Sequence, residues 1–171
     1  MATFHAKGPA ALIYSRQNLD ILDRSALSPA SGLARGAYVL ADTEGTPDLI
    51  LIASGSEVQV ALGARDLLAQ EGIQARVVDL HTIRPLDTET ISAAARETGA
   101  IVTAEEHLLQ GGMGSNVARL VAGTHPVPMR FIGLEDVYVE SAAPDDLLKK
   151  YKLTSADIAA AAREVYQAKK G

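Results

Sequence analysis

The sequence predicts an α/β protein, a three-layer α/β/α sandwich around a mostly parallel five-stranded sheet whose first strand is antiparallel. From about Gly36 onward, apolar runs of strand length alternate with segments in which apolar residues recur at helical spacing. Four of the five runs are nearly continuous in Val, Ile and Leu, which is typical of strands buried on both faces. Such alternation joins parallel strands through right-handed crossovers.

The strands are predicted from these apolar runs. The short turn Thr43–Pro47 between the first two runs leaves no room for a helix, so these strands pair antiparallel if they are neighbours. The predicted strands are Ala37–Ala41, Leu49–Ala53, Ala75–Leu80, Ala100–Ala104 and Met129–Leu134.

Each predicted helix begins with a capping residue or a proline, and the first three end at a glycine. The first start, Ser54-Gly55-Ser56-Glu57, has the pattern of a capping box, in which the Ser hydroxyl accepts from a backbone N–H and the Glu carboxylate reaches back. The predicted bounds are Ser54 to Gly72, Asp87 or Thr88 to Gly99, Ser115 to Gly123, a start at Pro144 and a start at Thr154.

Two parts of the chain differ in pattern, residues 1–35 and residues 36–171. The first part is irregular, with one strand-like run, Ala11–Tyr14, and a stretch rich in Ser, Pro and Gly from Ser25 to Gly36 that reads as a linker. A single strand has no partner in its own segment, so we expect it to complete a sheet that belongs to another part of the protein. Residues 36–171 are the predicted α/β domain.

Composition excludes several classes of protein. The 171 residues carry a net charge of −5 with no basic cluster, which argues against binding nucleic acid or an anionic membrane. The absence of cysteine excludes disulfide scaffolds, thiolate zinc sites and cysteine nucleophiles. No uncharged apolar run approaches the ~20 residues of a membrane-spanning helix, and the first residues lack a signal-peptide core. We therefore expect a cytoplasmic protein.

Acidic residues and two histidines follow the carboxyl ends of the predicted strands, where ligands bind in open α/β sheets. These side chains could bind a metal, or they could cap helices, anchor loops and form a partner interface. We favour the structural role because no HExxH or DxD spacing is present. The residues are Glu57, His81, Arg84, Glu105, Glu106, His107, Glu135 and Asp136.

Two further segments contain candidate binding residues. The glycines of Gly111–Ser115 precede a helix, where free N–H groups can hold an anion, but a tight turn between strand and helix explains them more simply. Tyr14-Ser15-Arg16-Gln17-Asn18 follows a strand-like run, and the guanidinium of Arg16 could bind a carboxylate or phosphate as a fork. On spacing alone, a surface arginine in a polar turn is the simpler interpretation.

Taken together, these motifs resemble the carboxy-terminal section of transketolases over nearly the whole chain, from about Gly8 to Lys169. Deoxyxylulose phosphate synthases and the beta subunits of 2-oxo-acid dehydrogenases have related motifs. The front of the chain is similar to single-chain transketolases and the back to the two-chain, split form, so either organisation is open. The segments that carry the resemblance are Ala11–Leu19, Pro47–Val58, Asp79–Asp87, Glu105-Glu106-His107 and Gly111–Ser115.

The resemblance implies a role in ketol transfer between sugar phosphates, as in the pentose phosphate pathway, with thiamine diphosphate and Mg²⁺ or Ca²⁺ in the assembled enzyme. It assigns residues 1–35 to the end of the pyrimidine-binding domain and a linker, and residues 36–171 to the transketolase C-terminal domain. The family's Gly-Asp-Gly metal motif and its Gly-Glu-Asp-Gly-Pro-Thr-His region are absent here. We therefore expect this chain to bind no thiamine diphosphate or metal and to be inactive alone.

One site residue carries over from the family. The arginine of the family's Ser-Arg-Gln motif binds the substrate phosphate and matches Arg16; no catalytic residue carries over. The implied partners are the upstream transketolase domains or subunit and a second copy in a homodimer, with no nucleic acid and no membrane. The alternative is a free-standing α/β module that binds an anion or nucleotide at Gly111–Ser115.

Overall fold

The computed structural model of the chain describes residues 7–171 and confirms the predicted sandwich. Residues 1–6, the start of the predicted first segment, lie outside the described residues. The strands are β1 (Tyr38–Ala41), β2 (Leu49–Ala53), β3 (Ala75–Asp79), β4 (Ile101–Leu108) and β5 (Met129–Leu134). The helices are α1 (Glu57–Gln70), α2 (Thr88–Thr98), α3 (Met113–Thr124), α4 (Pro144–Lys150) and α5 (Ser155–Lys170), and a short 3₁₀ helix spans Ala30–Ala34.

The sheet has the order β1-β3-β2-β4-β5, with β1 antiparallel to β3 and all other pairs parallel. The antiparallel first strand is thus confirmed, but its neighbour is β3 rather than β2. The crossover through α1 places β3 beside β2, and β4 pairs with the other side of β2. Because both sides of β2 are filled, β1 pairs with the remaining edge of β3.

The sheet separates two apolar layers. Alternate residues of β2 face opposite layers: Leu49, Leu51 and Ala53 pack with α1 and α5, whereas Ile50 and Ile52 pack with α2 and α3. All five residues are buried, which is why this run of Leu, Ile and Ala reads as continuously apolar in the sequence.

Several helix ends agree with the sequence signals. The Asp87 carboxylate accepts a hydrogen bond from the Thr90 N–H (3.0 Å) at the start of α2, and Gly99 ends that helix at φ 67°. A reciprocal capping box between Thr154 and Asp157 begins α5. Pro144 occupies the first turn of α4, as predicted.

Two helix ends differ from the prediction. At α1, the predicted capping box between Ser54 and Glu57 does not form, since the Glu57 carboxylate has no hydrogen-bond partner among the described residues. The N-cap residue is Ser56, whose hydroxyl donates to Glu106 (2.6 Å) rather than capping the helix. Helix α3 begins at Met113, two residues before the predicted Ser115, and continues through Gly123 to Thr124. Its cap is a carboxylate from β4, which no local pattern around Ser115 could reveal.

The strand predicted at Ala11–Tyr14 does not form in the described part of the chain. Its side chains are exposed, with Ile13 at 93% and Tyr14 at 80%, because no strand of the sheet lies beside them to pair. No helix between residues 7 and 171 combines the length and the apolar character that crossing a bilayer requires.

Candidate functional site

The carboxyl ends of the parallel strands β3, β2, β4 and β5 meet at one edge of the sheet, here called the carboxyl edge. The antiparallel strand β1 begins at the same edge, because its first residue, Tyr38, pairs with the last residue of β3, Asp79. Residues 7–29 are here called the N-terminal arm, in which Asp20 contacts the first turn of α1 and Arg24 contacts Tyr38 at this edge. Every candidate site residue predicted from the sequence lies at the carboxyl edge or on the arm.

Glu57, at the start of α1 on the carboxyl edge, is fully buried, and neither carboxylate oxygen has a hydrogen-bond partner among the described residues. Burial, with a smaller contribution from the negative charge of Glu106, raises the pKa of Glu57 to about 7. Glu106 itself is exposed and accepts the hydrogen bond from the Ser56 hydroxyl. At neutral pH, Glu57 is therefore near half-ionised within the fold.

Glu105 closes the N-terminus of α3. Its buried carboxylate accepts from the backbone N–H of Met113 (2.6 Å) and of Gly114 (2.7 Å). A Cβ at Gly112 would lie 2.5 Å from Glu105 Oε2, and one at Gly114 would lie 2.6 Å from Thr103 Oγ1. The glycines thus allow the carboxylate to approach the helix end closely, and the chain supplies its own anion to two of the donors that an external anion would use.

Four side chains from the arm and from β1 and β3 form a polar cluster at the carboxyl edge: Arg24, Tyr38, Asp79 and His81. Arg24 Nη2 donates to the Tyr38 hydroxyl (3.2 Å), and the Tyr38 and His81 rings lie 6.2 Å apart between centroids. Burial raises the pKa of Asp79, and His81, the Tyr38 hydroxyl and Arg24 oppose that rise. His81 Nδ1 lies 3.0 Å from Thr82 Oγ1, while its Nε2 is buried without a partner among the described residues.

The other residues predicted at this edge do not converge. Arg84, His107, Glu135 and Asp136 are exposed, and Glu105 to His107 extend β4 rather than form a loop. Between residues 7 and 171, no three His, Cys, Asp or Glu side chains lie close enough to share a metal ion. The described residues therefore do not fit a metal.

Arg16 lies on the arm with its side chain exposed, and it forms no ion pair with any residue from 7 to 171. Next to it, the Ser15 hydroxyl donates to the Gln17 carbonyl (3.0 Å) and holds a local turn. Four residues further on, the Asp20 carbonyl accepts from Gln59 Nε2 of α1 (2.5 Å). The Arg16 guanidinium is therefore not neutralised by a carboxylate among residues 7–171.

Sequence reasoning missed Arg24, Tyr38 and Asp79. A local signal existed for Asp79, since an acidic residue at the end of an otherwise apolar strand is costly to bury unless it has polar neighbours. No local signal links Tyr38 with Arg24, because they are fourteen residues apart and meet only through the fold.

Comparisons with known proteins agree with this fold. The sequence model of the family described as "Transketolase, C-terminal domain" matches residues 37–158. A solved structure described as "Split gene transketolase, inactive beta4 tetramer" superposes with a TM-score of 0.73 at 43% identity, and covers 78% of this chain and 43% of that chain.

Curated relatives match over different lengths. The chain is 44% identical to the 1-deoxy-D-xylulose-5-phosphate synthase of Heliobacterium modesticaldum over 71% of its length (19% of the relative). It is 40% identical to a 6-deoxy-6-sulfo-D-fructose transketolase subunit of Clostridium sp. over 71% (38% of the relative). It is 37% identical to transketolase 2 of Pasteurella multocida over 93% (23% of the relative). The chain spans less than two fifths of the length of each of these relatives.

Proposed function

The chain belongs to the transketolase C-terminal domain family, and we propose that it is the carboxy-terminal portion of a thiamine-diphosphate-dependent transketolase that transfers ketol units between sugar phosphates. The match to transketolase 2 of Pasteurella multocida carries this proposal. It covers 93% of the chain, which leaves about a dozen residues outside, so it includes Arg16 and the arm from residue 13 onward. The match to the synthase of Heliobacterium modesticaldum covers only 71%.

We assign residues 1–35 to the end of a pyrimidine-binding domain and a linker, and residues 36–171 to the transketolase C-terminal domain. Two observations support this division. The family match begins at residue 37, and both apolar layers are built from residues 37–165, with only Leu22 and Leu27 added from the arm. The C-terminal domain is then a structural part of the enzyme that supports contacts with other domains or subunits.

Arg16 is the residue that we assign to substrate binding. A permanently charged planar guanidinium binds a dianionic phosphate through two parallel hydrogen bonds. The exposure of Arg16, and the absence of a carboxylate beside it in residues 7–171, support this role because the guanidinium is not already neutralised. A phosphate would therefore meet a free charge.

The cofactor belongs to the assembled enzyme in this proposal. When bound there, thiamine diphosphate supplies the stabilised carbanion chemistry that carries a two-carbon unit. The described residues offer no group of metal ligands for the accompanying Mg²⁺ or Ca²⁺. We therefore propose that upstream transketolase domains or a second subunit hold the cofactor and the metal, and that this chain alone is inactive. We propose further that the assembled enzyme is a cytoplasmic homodimer of the pentose phosphate pathway.

A second candidate activity is formation of 1-deoxy-D-xylulose 5-phosphate, favoured by the 44% identity to a synthase. The assembled enzyme distinguishes the two, since an assay for ketol transfer and an assay for 1-deoxy-D-xylulose 5-phosphate detect different products. The anion-binding module predicted at Gly111–Ser115 has less support, because Glu105 occupies two N–H donors of that loop.

The test combines this chain with the upstream transketolase polypeptide, thiamine diphosphate and Mg²⁺. We expect ketol transfer from the combination and none from this chain alone. In the active combination, Arg16→Ala should raise KM for phosphorylated sugars by about 10- to 100-fold with little change for unphosphorylated sugars, because a charge-assisted interaction is lost in ground state and transition state alike.

Arg96→Ala is the matched control, since Arg96 is an exposed arginine in the last turn of α2, away from the carboxyl edge. It should leave KM unchanged for both substrate classes. Equal effects of Arg16→Ala on phosphorylated and unphosphorylated sugars would remove Arg16 from the phosphate site. Absence of ketol transfer in the combination would refute the proposed activity.

A further inference from the structure

We infer that the C-terminal domain positions Arg16 through the N-terminal arm, and that the Tyr38 side chain, together with the Leu40 backbone, fastens the arm to β1. This inference rests on the proposed function, since it gives the C-terminal domain a task in phosphate recognition. Its physical basis is a series of contacts between the domain and residues 20–28 of the arm.

The arm runs from the start of α1 to β1. At Asp20, the backbone carbonyl accepts from Gln59 Nε2 in the first turn of α1 (2.5 Å). At Ser28, the backbone N–H donates to the Leu40 carbonyl of β1 (2.8 Å). Between these two points, Leu22 and Leu27 pack against the apolar layer formed with α1 and α5. The arm is therefore held at Asp20, at Ser28 and at two points between them.

Arg24 joins the arm to the strand. Its Nη1 donates to the Ser28 carbonyl (2.5 Å) and its Nη2 donates to the Tyr38 hydroxyl (3.2 Å). One guanidinium thus bends the arm over residues 24–28 and fixes that bend to β1. Since the fork of a guanidinium is planar and rigid, both contacts together orient the arm as well as tether it.

The charge of Asp79 strengthens this attachment. Asp79 is 8% exposed and pairs in register with Tyr38 across β3 and β1. Its carboxylate is costly to bury without a nearby cation, and Arg24 on the arm is one of the groups that stabilise its charged form. Removing the arm would therefore leave a buried carboxylate less well compensated.

The Tyr38 ring provides a packed surface for the linker that follows the arm. A Cβ at Gly32 would lie 2.4 Å from Tyr38 Cδ2, so the 3₁₀ helix Ala30–Ala34 lies directly against the ring. The ring of His81 is also close, 6.2 Å from the Tyr38 ring between centroids. With its ring confined in this way, Tyr38 presents its hydroxyl to Arg24 from a fixed place.

These attachments limit where Arg16 can go. Arg16 is four residues from Asp20, so its Cα lies within roughly 14 Å of that anchor even in a fully extended chain. An arm anchored only at Ser28 would let Arg16 range over roughly 40 Å. Because a misplaced binding group loses most of its effect, a looser arm should weaken phosphate binding without changing the chemical step.

The test is a double-mutant cycle between Tyr38→Phe and Arg16→Ala in the assembled enzyme with its upstream domains. Tyr38→Phe keeps the ring and removes only the hydroxyl that accepts from Arg24. We expect it to raise KM for phosphorylated sugars by about 3- to 10-fold, to leave kcat and the KM for unphosphorylated sugars unchanged, and to have no further effect when Arg16 is already alanine.

The second measurement is hydrogen exchange on the 171-residue chain. We expect Tyr38→Phe to speed exchange of backbone amides in residues 20–28, the Ser28 amide above all, while the amides of β2 and β4 exchange as in the wild type. Tyr166→Phe on α5 is the matched control, since that hydroxyl forms no hydrogen bond with the described residues. It should change neither exchange of the arm nor KM.

The outcomes separate this inference from the proposed function. If Arg16→Ala affects phosphorylated and unphosphorylated sugars equally, the phosphate role of Arg16 fails and the positioning role fails with it. If Arg16→Ala is selective but Tyr38→Phe changes neither KM nor exchange of the arm, only the positioning role fails. It also fails if the effect of Tyr38→Phe on KM persists in full after Arg16 is replaced.

Discussion

Glu57 has the sequence pattern of a helix-capping residue, but in the fold it is a buried acid. The Glu of Ser54-Gly55-Ser56-Glu57 has the spacing of a capping residue. In the structure it is fully buried with no hydrogen-bond partner among residues 7–171. Burial followed by the charge of Glu106 raises its pKa from 4.5 to about 7. The fold therefore favours the protonated acid.

This preference makes stability depend on pH. Between pH 4.5 and pH 7 the folded chain holds a proton at Glu57 that the unfolded chain has released, so the free energy of unfolding falls as pH rises. A pKa shift of this size corresponds to a total loss of about 3 kcal/mol in the free energy of unfolding. Glu57→Gln removes the titration and should match the wild type near pH 5 and exceed it by roughly 2–3 kcal/mol at pH 8.

Urea denaturation of the two proteins at pH 5 and pH 8 measures this difference directly. Glu44→Gln replaces an exposed carboxylate in the turn after β1, and should follow the pH dependence of the wild type. If Glu57→Gln showed the same loss of stability between pH 5 and pH 8 as the wild type, Glu57 would not be the group that titrates.

At the scale of elements, the start of α3 depends on close packing rather than on a local cap. The Glu105 carboxylate accepts from two N–H groups of the helix, and Gly112 and Gly114 leave room for it. At Gly114 a Cβ would lie 2.6 Å from Thr103 Oγ1 and 3.0 Å from Phe131 Cδ1. Both atoms belong to side chains of strand residues, so these side chains or the helix would have to move.

Two alanine substitutions in α3 test this interpretation. Gly114→Ala should lower the free energy of unfolding by about 1–3 kcal/mol, the usual cost of overpacking a buried site. Gly123→Ala, in the last turn of the same helix, meets nothing within 4 Å and should raise it by about 0.5 kcal/mol through helix propensity. Thermal or urea unfolding measures both, and a neutral or stabilising Gly114→Ala would contradict the close packing.

Helix bounds were predictable from the sequence where the cap is local. Asp87 caps α2 through Thr90, and Thr154 caps α5 through Asp157, within three residues in each case. The start of α3 was not, because its cap comes from Glu105, eight and nine residues away from the groups that it binds. A capping pattern predicts a partner within one turn and cannot detect a partner on a neighbouring strand.

At the scale of the whole molecule, the alternation of strands and helices predicted the parallel sheet, but not every neighbour in it. A short turn joins β1 to β2 in the sequence. Strand β1 nevertheless pairs with β3, since β3 and β4 occupy both sides of β2. The place of Arg16 after a strand-like run predicted only a possible anion-binding residue, and its role in binding substrate phosphate was predicted from the resemblance. The path of the arm that carries it was not predictable, because Asp20, Arg24 and Ser28 meet α1 and β1 only through tertiary contacts.

The contacts of the arm also lead us to expect a specific change in the free energy of unfolding when the chain is shortened from its N-terminus. A chain that begins at Asp20 keeps every contact between the arm and the domain described above and should unfold within about 0.5 kcal/mol of the full chain, since residues 7–19 are exposed. A chain that begins at Pro29 loses the partial burial of Leu22 and Leu27, worth about 1 kcal/mol each, and the hydrogen bonds of Arg24 and Ser28. The chain entropy of nine ordered residues offsets part of this loss. We expect a net decrease of about 1–2 kcal/mol in urea denaturation. If both shortened chains were as stable as the full chain, the arm would not be fastened to the domain, and Tyr38 could not position Arg16.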